Sequence, residues 1–180
     1  MIETFDNAFK ENTRSDIYLL AITAKYQIGW DDTSVFEHRQ FPCLHHSLSK
    51  QEWGQLDLIS RIQNQQLHDK INNLKFVSAT INLAVPSSIQ FPHSHSEPLV
   101  LLYYINPEWK NEYYGETLFY DDFGEEIVYS SIYKPGRCVL FDGKIPHSIR
   151  PSSHVAPQYR FTLFVSFTEK NFIEELKNNS

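Results

Sequence analysis

TLFYDDFGEEIVYSSIYKPGRCVLF, residues 117–141, places three β-prone runs around two turns. Residues 117–120, 127–133 and 137–141 are rich in β-branched and aromatic side chains, which favour a pleated, half-buried surface. Between them, Asp121-Asp122-Phe123-Gly124 and Lys134-Pro135-Gly136 supply turn chemistry, because Gly tolerates positive φ and Pro presets its own. Outward from this stretch the same alternation of short runs and turn residues recurs at 75–85, 99–105 and 159–167. Several short strands at this spacing predict a mainly β fold, a sandwich or jelly roll. No period of 20 to 50 residues recurs, so solenoid and propeller architectures drop out.

The first half reads differently. Ser49-Lys50-Gln51-Glu52 fits a capping box, and Leu56, Ile59, Ile62, Leu67 and Ile71 recur at roughly helical spacing through polar sequence. One or two amphipathic helices are expected over 49–72, packed on a sheet. Residues 169–178 read as a terminal helix. Residues 31–48 and 86–90 are polar, contain Pro and lack periodicity, and are expected to form lips over a pocket.

The chain has 180 residues, enough for one domain with its own core, and no linker interrupts it. The expected organisation is a single domain, 1–180, with helical and strand support over 1–73, a core over 74–168 and the terminal helix beyond. The 14% aromatic content, with 13 Phe and 10 Tyr, agrees with sheet surfaces rather than a helical bundle. A net charge of -6 argues against generic nucleic-acid binding. Cys43 and Cys138 form no CxxC, so neither a disulfide framework nor a cysteine zinc site is suggested. No stretch approaches the ~18 apolar residues of a membrane span, and the first residues carry no leader pattern. A cytoplasmic protein without membrane contact is expected.

The chemistry sits in the second half. His93-Ser94-His95-Ser96-Glu97 puts three metal-ligand types at alternate positions, which in a strand share a face. Two of them with the distant His147, in Asp142-Gly143-Lys144-Ile145-Pro146-His147, would give two imidazoles and a carboxylate on one face of an octahedron, which suits non-haem Fe(II). Alternation does not decide which two of the three bind. The carboxylate favours His95 with Glu97, and His93 is a substitute that would make the site more cationic. His38, His45, His46 and His68 lack ligand-spaced partners, and His154 reads as a loop residue. Thirteen residues beyond His147, Arg160 alternates with Thr162 onto one face, so a guanidinium fork and a hydroxyl could meet a carboxylate. The bland alternative is an arginine paired with a structural Asp or Glu.

With these residues in view, the sequence resembles the 2-oxoglutarate and Fe(II)-dependent dioxygenases, especially the prolyl 4-hydroxylase-like branch and its small bacterial and phage members. Residues 102–109, LYYINPEW, resemble that family's LYYLNPEW strand; YGETLFY at 114–120 is similar to its GGETxFY; KPGRCVLFDG at 134–143 to its KPGRxVLFDG; and 159–167 to its YRxTLxFxF strand. Tyr26 to Trp30 and Asn82 match weaker features. Strong matches span 75–168, about half the chain.

The resemblance implies a double-stranded β-helix of the cupin-like jelly-roll type. It implies Fe(II) bound by His95, Glu97 and His147, with 2-oxoglutarate as cosubstrate and O2 as oxidant. Arg160 and Thr162 would hold the distal carboxylate, with Tyr104 adding a phenolic hydrogen bond and Asn82 nearby. The implied reaction is hydroxylation of an unactivated C–H in a small molecule or peptidyl residue, releasing succinate and CO2. Two departures stand out: Glu97 where the family's metal carboxylate is Asp, and Tyr114 where the first Gly of GGET would be. The rival readings are a jelly-roll metalloenzyme that uses His93, His95 and His147 without 2-oxoglutarate, and a non-catalytic ligand-binding module.

Overall fold

A computed structural model describes residues 1–29, 44–156 and 159–169. In chain order these form β1 (Ile2–Phe5), α1 (Glu11–Thr23), β2 (Gln27–Ile28), β3 (Leu44–Ser47), α2 (Lys50–Leu56), α3 (Gln65–Ile71), β4 (Lys75–Ala84), β5 (Leu99–Tyr104), β6 (Thr117–Tyr120), β7 (Ile127–Ser131), β8 (Cys138–Phe141), β9 (His147–Ile149) and β10 (Arg160–Thr168). Seven strands make one antiparallel sheet in the order β1-β8-β5-β10-β4-β3-β2, and three make a smaller one in the order β7-β6-β9. The mainly β jelly roll expected from the sequence is what forms.

The alternation of the central strands explains the layering. Leu101 and Tyr103 of β5, Cys138 and Leu140 of β8, and Phe161, Leu163, Val165 and Phe167 of β10 are buried with Ile17 and Ala21 of α1 and Leu67 and Ile71 of α3. The opposite faces, Val100, Leu102 and Tyr104 of β5 with Val139 and Phe141 of β8, meet Phe119 of the small sheet and Tyr133. Strands covered on both faces read as continuous apolar runs, and VLLYY and CVLF do.

Local signals act where the sequence places them. Ser49 accepts from the Glu52 amide at 3.2 Å and its own amide donates to Glu52 Oε2 at 2.8 Å, closing the capping box of α2. The turns close through Gly124 N to Asp121 O, 3.0 Å, and Arg137 N to Lys134 O, 3.0 Å. The expected lip over 31–48 is corrected at its end: Leu44–Ser47 is strand β3, paired with β4 through Leu44 opposite Leu83 and His45 opposite Asn82. The rest of that lip to residue 43, and the terminal helix beyond 169, lie outside the described residues. Among the described residues no helix is long and apolar enough to cross a membrane.

Candidate metal centre and anion cradle

His93, His95 and His147 converge, with one ligand nitrogen from each lying within 4.8 Å of the others. Backbone pairing brings them there. His93 and His147 form an antiparallel bridge, His93 N to His147 O at 3.0 Å and His147 N to His93 O at 2.9 Å, while His95 N donates to Gly143 O at 2.7 Å. The ring centroids stand 4.5 Å apart for His93 and His147, and 5.1 Å apart for His95 with either. His147 Nδ1 lies 2.9 Å from Ile145 O, and His93 Nδ1 lies 3.0 Å from Phe91 O. A carbonyl only accepts, so each Nδ1 is the donor in its contact, which orients the ring.

Aromatic walls surround the cluster: Phe164 at 4.6 Å from His95, and Phe141 at 4.8 Å from His147. Burial, with the neighbouring His93 adding to it, pushes His95 down to about 4, and the same two causes hold His147 well below its ordinary value. At neutral pH both rings are therefore neutral and able to ligate. A divalent ion ~2.1 Å from each nitrogen would draw the three to roughly 3 Å apart, a short closing movement. The residues present fit a metal.

Glu97 stands outside this group. Its Oε2 faces Ser96 Oγ at 3.3 Å. Shared facing of 93, 95 and 97 presumed a strand, but only His93 is bridged and the chain bends over 96–98. The bend packs the Glu97 carbonyl against Gly143, where an added Cβ would fall on that oxygen.

The placement of the candidate anion-binding residues follows from the register of β10. Thr162 lies opposite Tyr104 on one side and Asn82 on the other, so the three side chains form a row on one face. Phe164, the wall of His95, is two residues along that face and Arg160 is two residues the other way, placing Arg160 roughly 13 Å of strand from Phe164.

Arg160 is 1% exposed. Its Nε donates to Gly115 O at 2.8 Å and Nη2 to Thr117 Oγ1 at 3.4 Å, while its guanidinium lies 4.8 Å from the Tyr133 ring and 5.6 Å from that of Tyr104. Nη1 has no partner, nor has Thr162 Oγ1, although both are buried. Among the described residues no carboxylate lies within ion-pair distance of Arg160, so a structural Asp or Glu partner is not what holds it. Burial depresses its pKa, and Tyr133, Tyr104 and Glu116 act in the opposite sense. A buried cation with an idle donor is costly unless an anion arrives. The donor set fits a carboxylate.

Tyr104 is fully buried and its hydroxyl donates to Thr117 Oγ1 at 2.9 Å, the oxygen that Arg160 Nη2 also reaches. Tyr103 faces the other way, against Phe9 with ring centroids 5.0 Å apart. Asn82 is half-buried beside Thr162. His154 lies in an exposed turn, and His46 pairs with Glu52 at 2.9 Å, away from the cluster.

Sequence reasoning passed over Tyr133, Thr117 and Gly115. Tyr133 stacks on Tyr104 at 4.6 Å and its hydroxyl reaches Phe161 O at 2.6 Å. Gly115 has φ +85°, and a Cβ there would stand 3.1 Å from Arg160 Cδ. The Gly-Glu-Thr run was the available signal for two of the three.

No protein-family model matches the chain, and no curated protein matches it in sequence. Solved structures do match in fold. A prolyl-4-hydroxylase from Pseudomonas putida is 12% identical, with a TM-score of 0.68 over 93% of this chain and 92% of that one. A viral collagen prolyl hydroxylase from Paramecium Bursaria Chlorella virus-1, solved with 2-oxoglutarate, is 12% identical with a TM-score of 0.62, covering 92% and 94%. HygX from Streptomyces hygroscopicus, solved with nickel and 2-oxoglutarate, is 12% identical with a TM-score of 0.67, covering 94% and 83%. The chain therefore has the fold of the prolyl-4-hydroxylase-like 2-oxoglutarate oxygenases.

Proposed function

We propose that this protein is a 2-oxoglutarate-dependent non-haem Fe(II) oxygenase. The observation that carries this reading is the pairing of two features on one side of the large sheet: a cluster of three imidazoles, and a buried Arg160 whose Nη1 meets no acceptor among the described residues. With Fe(II), 2-oxoglutarate and O2 bound, the chemistry available is oxidation of a substrate C–H coupled to release of succinate and CO2.

The chain's own residues have separable roles. His95 and His147 hold the metal, with the His147 ring oriented by Ile145 O. Arg160 and Thr162 take the distal carboxylate of the keto acid, and Tyr104, bound to Thr117, borders the same pocket. Phe141 and Phe164 wall the His147 and His95 rings on their apolar side. A metalloenzyme that makes no use of a keto acid leaves the idle Arg160 donor unexplained.

The substrate is a peptidyl residue or a small molecule. Neighbours of this fold include a prolyl hydroxylase from Trichoplax adhaerens in complex with a peptide fragment and HygX with hygromycin B. The test is Fe(II)-dependent conversion of 2-oxoglutarate to succinate, measured across a panel of peptides and small molecules. Stimulation by one member is expected, and absence of succinate from 2-oxoglutarate with every member and with none would contradict the proposal.

A further inference from the structure

We infer that the third protein ligand to the metal is His93 and that Glu97 is not a ligand, so the site is built from three imidazoles. This rests on the metal-site reading above and not on the identity of the substrate.

Three observations carry it. His93 shares both bridge hydrogen bonds with His147, 3.0 and 2.9 Å, so the two imidazoles are held side by side by backbone before any ion arrives. Its Nδ1 lies 3.0 Å from Phe91 O, as His147 Nδ1 lies 2.9 Å from Ile145 O, so a backbone carbonyl orients each ring in the same way. Glu97 is carried off by the bend at 96–98, with its carbonyl against Gly143 and its carboxylate beside Ser96. Glu97 lies outside the group whose ligand atoms stand within 4.8 Å of one another, whereas His93 is in it.

The consequence is electrostatic. Three imidazoles neutralise none of the ion's charge, so the incoming keto acid must do so, and metal and keto acid should each raise the other's affinity by the same factor. A carboxylate ligand would weaken that coupling.

The test is anaerobic calorimetric titration of tag-free, metal-stripped protein with Co(II), comparing the wild type with His93→Ala, His93→Phe, Glu97→Gln and His147→Ala, each checked by circular dichroism melting. Outer-shell partners of metal ligands are typically worth ~10–100-fold in affinity, so a lost ligand should cost at least about 100-fold. Both His93 variants and His147→Ala are expected to lose that much, while Glu97→Gln stays within about threefold. His93→Phe keeps a ring packed against His95 and His147 and removes the nitrogens. Loss in His93→Ala but not in His93→Phe would therefore assign the effect to packing and overturn the inference. Loss in Glu97→Gln with retention in His93→Ala would overturn it too, while leaving the oxygenase reading intact. Failure of the wild type itself to bind Co(II) would remove the metal-site reading along with it.

Discussion

Replacing Arg160 by Met separates a ligand-binding cation from a structural one. In the wild type the guanidinium is fully buried, held from behind by Gly115 O at 2.8 Å and by the Tyr133 ring, with Nη1 idle. A keto-acid carboxylate docking there would gain about two hydrogen bonds to a charged group, each worth roughly 1.5–3 kcal/mol. Removing one partner of such a buried pair costs about 3–5 kcal/mol, because the other charge is left unpaired. At ~1.4 kcal/mol per tenfold, Arg160→Met should weaken 2-oxoglutarate binding by roughly two to three orders of magnitude.

The same substitution removes a cation that has no carboxylate within ion-pair distance among the described residues. Its folded state should be as stable as the wild type or more so, the lost bond to Gly115 O costing about 1 kcal/mol and the relieved burial of charge offsetting it. Calorimetric titration of 2-oxoglutarate into Co(II)-loaded protein, with urea unfolding of the ligand-free forms, reads both quantities. Keto-acid affinity within threefold of wild type would refute the assignment. So would a stability loss in the ligand-free protein as large as the loss in binding, since Arg160 would then be a structural residue.

Other consequences are more local. Gly115→Ala forces a side chain onto φ +85° and into contact with Arg160 Cδ and Nε, so a loss of about 1–2 kcal/mol in urea unfolding is expected, with weaker keto-acid binding because Arg160 is pushed from its place. Gly143→Ala drives a Cβ onto the Glu97 carbonyl and should disturb the Gly143 O to His95 N bond; Co(II) affinity should fall together with about 3 kcal/mol or more of stability. The metal-free protein should lose stability in acid through His95. Its folded pKa of about 4 lies below the ordinary 6.5, so between these values the unfolded chain binds the proton and the folded one does not. This contribution is flat above 6.5 and is lost as pH falls toward 4, by about 2 kcal/mol between pH 7 and pH 5, readable as a shift in urea midpoint.

The strands of the sheet centre were legible because both of their faces are buried. Residues 99–105 and 137–141 are largely apolar and 159–167 alternates Arg160, Thr162 and Ser166 with apolar side chains; they form Leu99–Tyr104, Cys138–Phe141 and Arg160–Thr168. β3 was not legible: Leu-His-His-Ser has no alternation of its own, and what makes it a strand is a partner, β4, more than thirty residues downstream. β9 is only three residues long and owes its place to β6, with His147 opposite Phe119.

The site divides along the same line. Arg160, Thr162 and Tyr104 sit in strands whose period of two was readable, and they meet where that period puts them. The residues at 93, 95 and 97 were assigned by the same period, but one isolated bridge followed by a bend does not sustain it. Tyr133 and Gly115 act on Arg160 through contacts 27 and 45 residues away in sequence, which no local pattern encodes.

The central claim is that one pocket holds both a metal and a keto acid in contact with it. Anaerobic addition of Fe(II) and 2-oxoglutarate together tests this most directly, by the visible charge-transfer absorption that arises only when the keto acid chelates the metal. The band is expected with both components, is absent with either alone, and is lost at the same keto-acid concentration in Arg160→Met. Fe(II) and 2-oxoglutarate each binding without the band would contradict it.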